Sequence, residues 1–341
     1  SDYLSMINKT LKKCVKRRVT TTERPVACLL SGGLDSSLIT ALVAREYGEE
    51  NLETYSIGMP GSEDLKYARM VADYLKTKHT EIVMSEDEFF SAIPEVIKAI
   101  ESYDTTTVRA STGNYLVSKY ISKNSQAKVI FNGDGSDEVT GGYLYFHKAP
   151  SPDDFDKECR RLLKDIHTFD VLRSDKSISS NGLEPRTPFL DKEFVDMYMS
   201  IPLTLRFHAG KNQCEKYLLR KAFEAEKLLP DEVLWRTKEA FSDGVSKATR
   251  SWYEVINQKV SSTDLSYNTT QDSYIVNPPT TVEQRYFRSL FELYYANLGY
   301  VIPYFWMPRF INAKDSSART LDIYSNIIAN NKEETNQSSA L

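Results

Sequence analysis

Val26-Ala27-Cys28-Leu29-Leu30-Ser31-Gly32-Gly33-Leu34-Asp35-Ser36-Ser37-Leu38-Ile39 is the stretch that decides the fold. A short apolar run ends at Leu30, a serine and two glycines follow, and Asp35, Ser36 and Ser37 open a second apolar segment of helical character. The pattern reads as strand, tight turn and helix N-terminus. Such a turn presents several backbone N–H groups and the positive end of a helix dipole, which suits it to an anion. No Lys-Ser/Thr follows the glycines, so it is not a Walker loop. The three-glycine spacing of the dinucleotide fingerprint is also missing.

Outward from this turn the chain alternates. Strand 26–30 leads to a helix over 35–47, strand 52–57 to a Pro60-Gly61 turn and a helix over 65–75, and a third strand spans Thr80 to Met84. Ser85 and Glu88 have capping-box spacing ahead of a helix carrying Phe89, Ile93, Val96, Ile97 and Ile100. A further helix is predicted over 111–123, then a strand from Lys128 to Phe131 and a second glycine-rich turn at 133–135. This order predicts an α/β fold, a mostly parallel twisted sheet with helices on both faces. Ligands bind such sheets where strands end and helices begin, so both turns fall on one rim. Ahead of the first strand, Leu4, Ile7, Leu11 and Val15 share one face of a helix over 1–19. Residues 1–150 form the expected core. After Ala149-Pro150-Ser151-Pro152 the strand pattern fades, and 153–168, 214–226, 246–260 and 283–297 read as helices of a second part over 151–325 that completes the site. Residues 261–282 read as a polar surface loop and 326–341 as a disordered tail.

Composition narrows the class. The 341 residues are 26% charged and 41% hydrophobic with a net charge of −4, which gives no reason to expect nucleic acid as a partner. No apolar run reaches membrane-spanning length. The chain opens on Ser1 without a signal-peptide pattern, which suggests a trimmed start. Four scattered cysteines, at 14, 28, 159 and 214, form no CxxC pair, so the expected compartment is reducing and cytoplasmic. The sequons at Asn8, Asn268 and Asn336 then read as chance matches.

The two turns carry the chemistry. Amides and hydroxyls of Ser31, Gly32, Gly33, Ser36 and Ser37 can bond phosphate oxygens. Asp35 repels phosphate unless it holds a bridging Mg²⁺; as an N-cap it would need no ligand, and both readings stand at this point. The second turn, Phe131-Asn132-Gly133-Asp134-Gly135-Ser136-Asp137-Glu138, packs three carboxylates directly after a strand. It lacks the glycine spacing of a calcium loop. Asp35 and Asp137 can share a cation across the rim; the alternative is a capped helix start with solvated acids, against which Gly133 and Gly135 argue by allowing close approach to the backbone.

Ser31-Gly32-Gly33-Leu34-Asp35-Ser36-Ser37 after a strand resembles the pyrophosphate loop of the ATP pyrophosphatases. Longer strings narrow the resemblance to the synthetase half of the glutamine-hydrolysing asparagine synthetases: Tyr103-Asp104-Thr105-Thr106-Thr107-Val108-Arg109-Ala110-Ser111, Gly141-Gly142-Tyr143-Leu144-Tyr145-Phe146-His147-Lys148-Ala149-Pro150, Glu184-Pro185-Arg186-Thr187-Pro188-Phe189-Leu190-Asp191, Trp235-Arg236-Thr237-Lys238-Glu239-Ala240-Phe241-Ser242-Asp243-Gly244 and Trp306-Met307-Pro308. The resemblance implies that the aspartate side chain attacks the α-phosphorus of ATP to give β-aspartyl-AMP, which ammonia converts to asparagine. Leu30, Ile57, Asn132 and Gly133 would contact the nucleotide, Ser31 through Ser37 the pyrophosphate, and Asp35 with Asp137 would hold Mg²⁺. Lys238 would face the α- and β-phosphates. Asp134, Lys238 and Arg109 are the candidate catalytic residues, and Thr106, Arg109 and Arg173 the candidates for holding aspartate. Arg173 and Arg186 also suit structural pairing, and His147 a structural hydrogen bond.

Two positions depart from the pattern: Asn132 replaces a common Ser, and Asp134 replaces a common Glu with one methylene less reach. The resemblance also implies that the glutaminase half is missing, so the chain alone would use free ammonia and would need another domain or partner chain to use glutamine. A homodimer of the full-length enzyme is a further implication. The competing readings are another adenylating amide ligase, resembling β-lactam synthetase, and a silent nucleotide-binding module.

Overall fold

A computed structural model describes residues 2–263 and 274–338, with side chains as far as residue 330. Five strands, β1 (Val26–Leu29), β2 (Glu53–Gly58), β3 (Lys78–Val83), β4 (Val129–Phe131) and β5 (Glu184–Arg186), form one sheet in the order β3-β2-β1-β4-β5. Every neighbouring pair is parallel, with Ala27 level with Glu53 on one side and Ile130 on the other. The pleat divides the central strands between two cores. Val26, Cys28, Val129 and Phe131 enter one apolar layer, while Ala27, Ile130, Tyr55 and Ile57 enter the other.

Helices cover both faces, as the alternating pattern requires. Helices α1 (Asp2–Thr20), α2 (Leu34–Tyr47) and α3 (Glu63–Leu75) build the first layer, and α4 (Glu86–Ile100) and α5 (Thr105–Asn124) build the second. The predicted capping box at Ser85 and Glu88 opens α4. Helix α5 begins six residues before the predicted start at 111, because Asp104 caps it by accepting from the Thr107 amide at 3.0 Å and the Thr107 hydroxyl at 2.7 Å. Asp104 also accepts from the Trp306 amide at 2.7 Å, which ties this helix start to the late part of the chain.

Three expectations are corrected. The fifth strand comes from beyond residue 150, so the sheet does not end with the expected core. It is only three residues long and contains Pro185, which an edge strand tolerates and which hides its period. The expected tail is helical through Ser338. Of the expected polar loop over 261–282, residues 261 and 262 close a helix, and 264–273, including Asn268, lie outside the described residues. Asn8 donates to the Ala222 carbonyl at 2.9 Å and to Glu226 at 2.6 Å, the role of a structural side chain. Among the described residues, no helix is long and apolar enough to cross a membrane.

Candidate active site

The strand order reverses between β1 and β4, which makes the carboxyl ends of these two strands the switch point where open α/β sheets bind ligands. The two glycine-rich turns stand side by side there. A methyl group on Gly133 would lie 2.7 Å from the Asp35 and Ser36 backbone, so only glycine lets the turns touch. The Ser136 hydroxyl crosses the contact and donates to Asp35 Oδ1 at 2.8 Å. Within the first turn, the Ser36 hydroxyl accepts from the Ser31 amide at 3.1 Å and lies 2.9 Å from the Ser31 hydroxyl. This holds the turn open above α2 without a side-chain cap, since Gly33 precedes the helix. The N-cap reading of Asp35 is therefore overturned: its carboxylate points across the rim.

A cluster of charge fills the space between the turns. Lys216, almost fully buried, meets Asp35 Oδ2 at 2.5 Å and Asp137 Oδ1 at 2.6 Å. Lys238 meets the other oxygen of Asp137 at 2.7 Å. Burial alone would raise the Asp137 pKa, but the two ammonium groups outweigh it and hold the carboxyl down at about 2. Burial disfavours the Lys238 ammonium, yet Asp137 and Asp35 raise its pKa on balance. Lys216 reaches this point over Gly142, where a methyl group would fall 2.1 Å from its Cε. Convergence of both carboxylates on one ammonium nitrogen means that they can also converge on one small cation, and hard carboxylate oxygens suit Mg²⁺.

Behind this cluster lies a second set of acids. Arg173 donates to Asp134 Oδ1 at 2.9 Å and lies 3.6 Å from Asp170. Burial raises the Asp134 pKa against the pull of Arg173. The Tyr143 hydroxyl sits 2.8 Å from Glu138 and 3.1 Å from Asp170, and burial together with the Asp170 charge pushes Glu138 well above the usual carboxylate range.

The turns and the charge cluster bound one cleft with about 1150 Å³ of open space, its solvent mouth included. Leu29, Leu30, Tyr55, Ser56 and Ile57 form one wall. Thr106, Ala110, Asn114 and Val117, on a single face of α5, line the cleft as well. The Thr106 hydroxyl, Asp134 Oδ2 and Arg173 Nε are buried with no hydrogen-bond partner. Three orphaned polar atoms in one cleft are the signature of a site that a ligand completes.

Most of the predicted residues come together here: Leu30, Ser31, Gly33, Asp35, Ser36, Ile57, Thr106, Asn132, Gly133, Asp134, Asp137, Arg173 and Lys238 line the cleft. Gly32 and Ser37 do not. Gly32 is turned under onto Tyr67 and Ala68, and Ser37 is fully buried, its amide donating to the Gly33 carbonyl at 3.1 Å within the helix. Arg109 is not brought to the cleft. Its guanidinium faces Glu283 at 2.6 Å and Asp315 at 2.8 Å, so its charge is spent on a buried pairing between distant segments. Arg186 pairs with Glu184 at 2.8 Å, and His147 lies 3.5 Å from Glu215, both structural settings.

Two further cleft residues are Lys216, which lies outside every motif of the sequence, and Arg236, which belongs to the Trp235–Gly244 string but has no role marked by it. Arg236 stacks 3.9 Å over the Tyr67 ring, donates to the buried Asp64 at 3.2 Å, and keeps a buried, unpartnered Nη1 beside the cleft. Burial pushes Asp64 up to about 7 against the pull of Arg236.

A family model described as Asparagine synthase matches residues 6–153 and 148–292. The chain is 47% identical over 332 residues to a glutamine-hydrolysing asparagine synthetase of Gallus gallus, covering 95% of this chain and 58% of that protein. It is 46% identical over 320 residues to the asparagine synthetase of the same description from Homo sapiens, covering 92% and 56%. The chain thus spans little more than half the length of these curated relatives. Among solved structures, an NH3-dependent NAD synthetase of Campylobacter jejuni aligns with a TM-score of 0.29 and 17% identity over 65% of this chain and 96% of its own.

Proposed function

The chain belongs to the asparagine synthase family, and from that premise we propose that it makes asparagine from aspartate, ATP and ammonia through β-aspartyl-AMP. The observation that carries the reading is the contact of the two turns, with Asp35 and Asp137 converging on one cation position and Lys238 beside them.

In this reading the nucleoside lies against Leu30, Ile57, Asn132 and Gly133. Ser31, Gly33 and Ser36 hold the pyrophosphate, while Gly32 shapes the turn and Ser37 supports it from beneath. Asp35 and Asp137 hold Mg²⁺, which supplies charge neutralisation on the phosphates when bound. Lys238, Lys216 and Arg236 place three cations where negative charge collects on the departing pyrophosphate. Thr106 and Arg173 orient aspartate so that a β-carboxylate oxygen attacks the α-phosphorus as the bond to pyrophosphate breaks. Ammonia then attacks the activated carbonyl carbon, Asp134 accepts a proton from the nitrogen, and AMP leaves with the oxygen that joined it to aspartate. A carboxyl raised in pKa by burial suits that task better than an ordinary one.

The relatives are named for glutamine hydrolysis. Among the described residues no cysteine lines the cleft, so the nitrogen source proposed for this chain is free ammonia, with glutamine reserved for a longer chain or a partner. All four cysteines are free thiols, in keeping with a reducing, cytoplasmic setting. The test is the dependence of AMP and pyrophosphate release on aspartate. Release that requires aspartate, with asparagine formed once ammonia is added, supports the reading; equal turnover without aspartate refutes it.

A further inference from the structure

We infer that residues 315–324 form a strap that positions Lys238, with Arg319 as its positioning residue acting through Glu239. The inference rests on the proposed role of Lys238 at the phosphates. Residues 236–240 belong to no helix or strand, so contacts made by side chains hold this lysine in place. From one side, Glu215 accepts from the Lys238 amide at 2.9 Å. From the other, the next residue, Glu239, accepts from Arg319 Nε at 3.0 Å and from the Tyr324 hydroxyl at 2.8 Å. Arg319 and Glu239 are 7% and 10% exposed, so water weakens this pair little. Arg319 also donates to the Lys247 carbonyl at 2.9 Å and to the Ser246 hydroxyl at 3.2 Å. One guanidinium therefore grips the loop both before and after the short helix Phe241–Gly244.

The strap has its own anchors. Asp315 accepts twice from Arg109, at 2.8 and 2.9 Å, and Glu283 neutralises the rest of that guanidinium. The Ser317 hydroxyl donates to Asp243 at 2.6 Å. Along the same segment, Ser316, Ala318 and Leu321 wall a side chamber of about 590 Å³ that shares Thr106, Tyr143 and Lys238 with the main cleft. The strap is therefore the outer wall beside the proposed aspartate position as well as the clamp on the lysine. It also gives Arg109 a purpose: it fixes the root of the strap and does not bind substrate.

The experiment compares the full chain with Arg319→Ala, Arg319→Lys and Tyr324→Phe by amide hydrogen exchange over residues 236–244, ATP affinity, and aspartate-dependent pyrophosphate release with the active fraction titrated. Expected in Arg319→Ala are exchange at least tenfold faster in that loop but unchanged in the sheet, a melting temperature lowered by a few degrees as for any broken buried pair, weaker ATP binding and kcat lowered at least tenfold. Arg319→Lys should recover part of each, and Tyr324→Phe should show a smaller effect of the same kind. Loop exchange equal to wild type overturns the strap. Faster exchange with kcat and ATP affinity unchanged overturns its action on Lys238. If wild type itself shows no aspartate-dependent release, the proposed reaction fails, and exchange and ATP affinity still decide the strap. Should Arg319→Ala not fold, Tyr324→Phe carries the same comparison, and wild-type behaviour there overturns the strap.

Discussion

Replacing Lys216 with Met removes the ammonium that joins the two turns and keeps the length of the side chain. In the native protein burial pushes the Asp137 carboxyl up, yet Lys216 and Lys238 together hold it down at about 2, below its ordinary 3.8. Asp35 loses its ion pair altogether and keeps only the hydrogen bond from Ser136. Losing one partner of a buried pair costs about 3–5 kcal/mol, and the partial exposure of the cleft favours the lower end. With an unfolding entropy of about 0.7 kcal/mol per degree for a chain of this size, the melting temperature should fall by about 4 °C in EDTA. Two carboxylates left facing each other then bind Mg²⁺ more tightly than in wild type. At 100 times its dissociation constant the ion would restore about 2.7 kcal/mol, nearly the whole loss. The assay is a thermal melt of both proteins in EDTA and in Mg²⁺. A variant that melts with wild type in EDTA, or that gains no more than wild type from Mg²⁺, refutes the claim that Asp35 and Asp137 converge on one cation position.

Asp134→Asn should lower asparagine formation by about 10²–10⁴ with little change in ATP affinity, read by steady-state kinetics at fixed free ammonia. The acid limb of the wild-type profile should lie above the ordinary carboxylate range, as burial requires, and should vanish in the variant. Thr106→Val removes a buried, unpartnered hydroxyl, so it should leave the melting temperature unchanged or slightly raised and increase the KM for aspartate about 2–10-fold. Asp64 has its pKa raised to about 7 in the fold, so its contribution to stability is present at low pH and is lost as pH rises through that value. Asp64→Asn should therefore gain on wild type in denaturant melts between pH 4 and pH 7; parallel curves would contradict the burial argument.

What could be read in the chain depended on how far each feature extends along it. The strand–turn–helix at Val26–Ile39 and the acid-rich turn at 132–138 are local, and their placement on one rim follows from parallel topology alone. Asp35, Asp137 and Lys238 were legible from short strings. Lys216 was not: it lies 181 residues from Asp35, in a loop, in a left-handed conformation that no sequence period marks. Arg109 was visible in a family string, but a string does not say where a side chain points, and its partners Glu283 and Asp315 are 174 and 206 residues away. The start of α5 is hidden in the sequence because its first turn is three threonines and shows no apolar period; the Asp104–Thr107 cap is the signal that locates it.

In the proposed reaction the side chain of aspartate cuts ATP at its α-phosphorus. Aspartate labelled with ¹⁸O in both β-carboxylate oxygens, incubated with ATP, Mg²⁺ and ammonia, tests it directly by mass spectrometry of the AMP formed. One ¹⁸O is expected in AMP for each asparagine made, and none in pyrophosphate. Unlabelled AMP alongside labelled inorganic phosphate, or ADP in place of AMP, would contradict it.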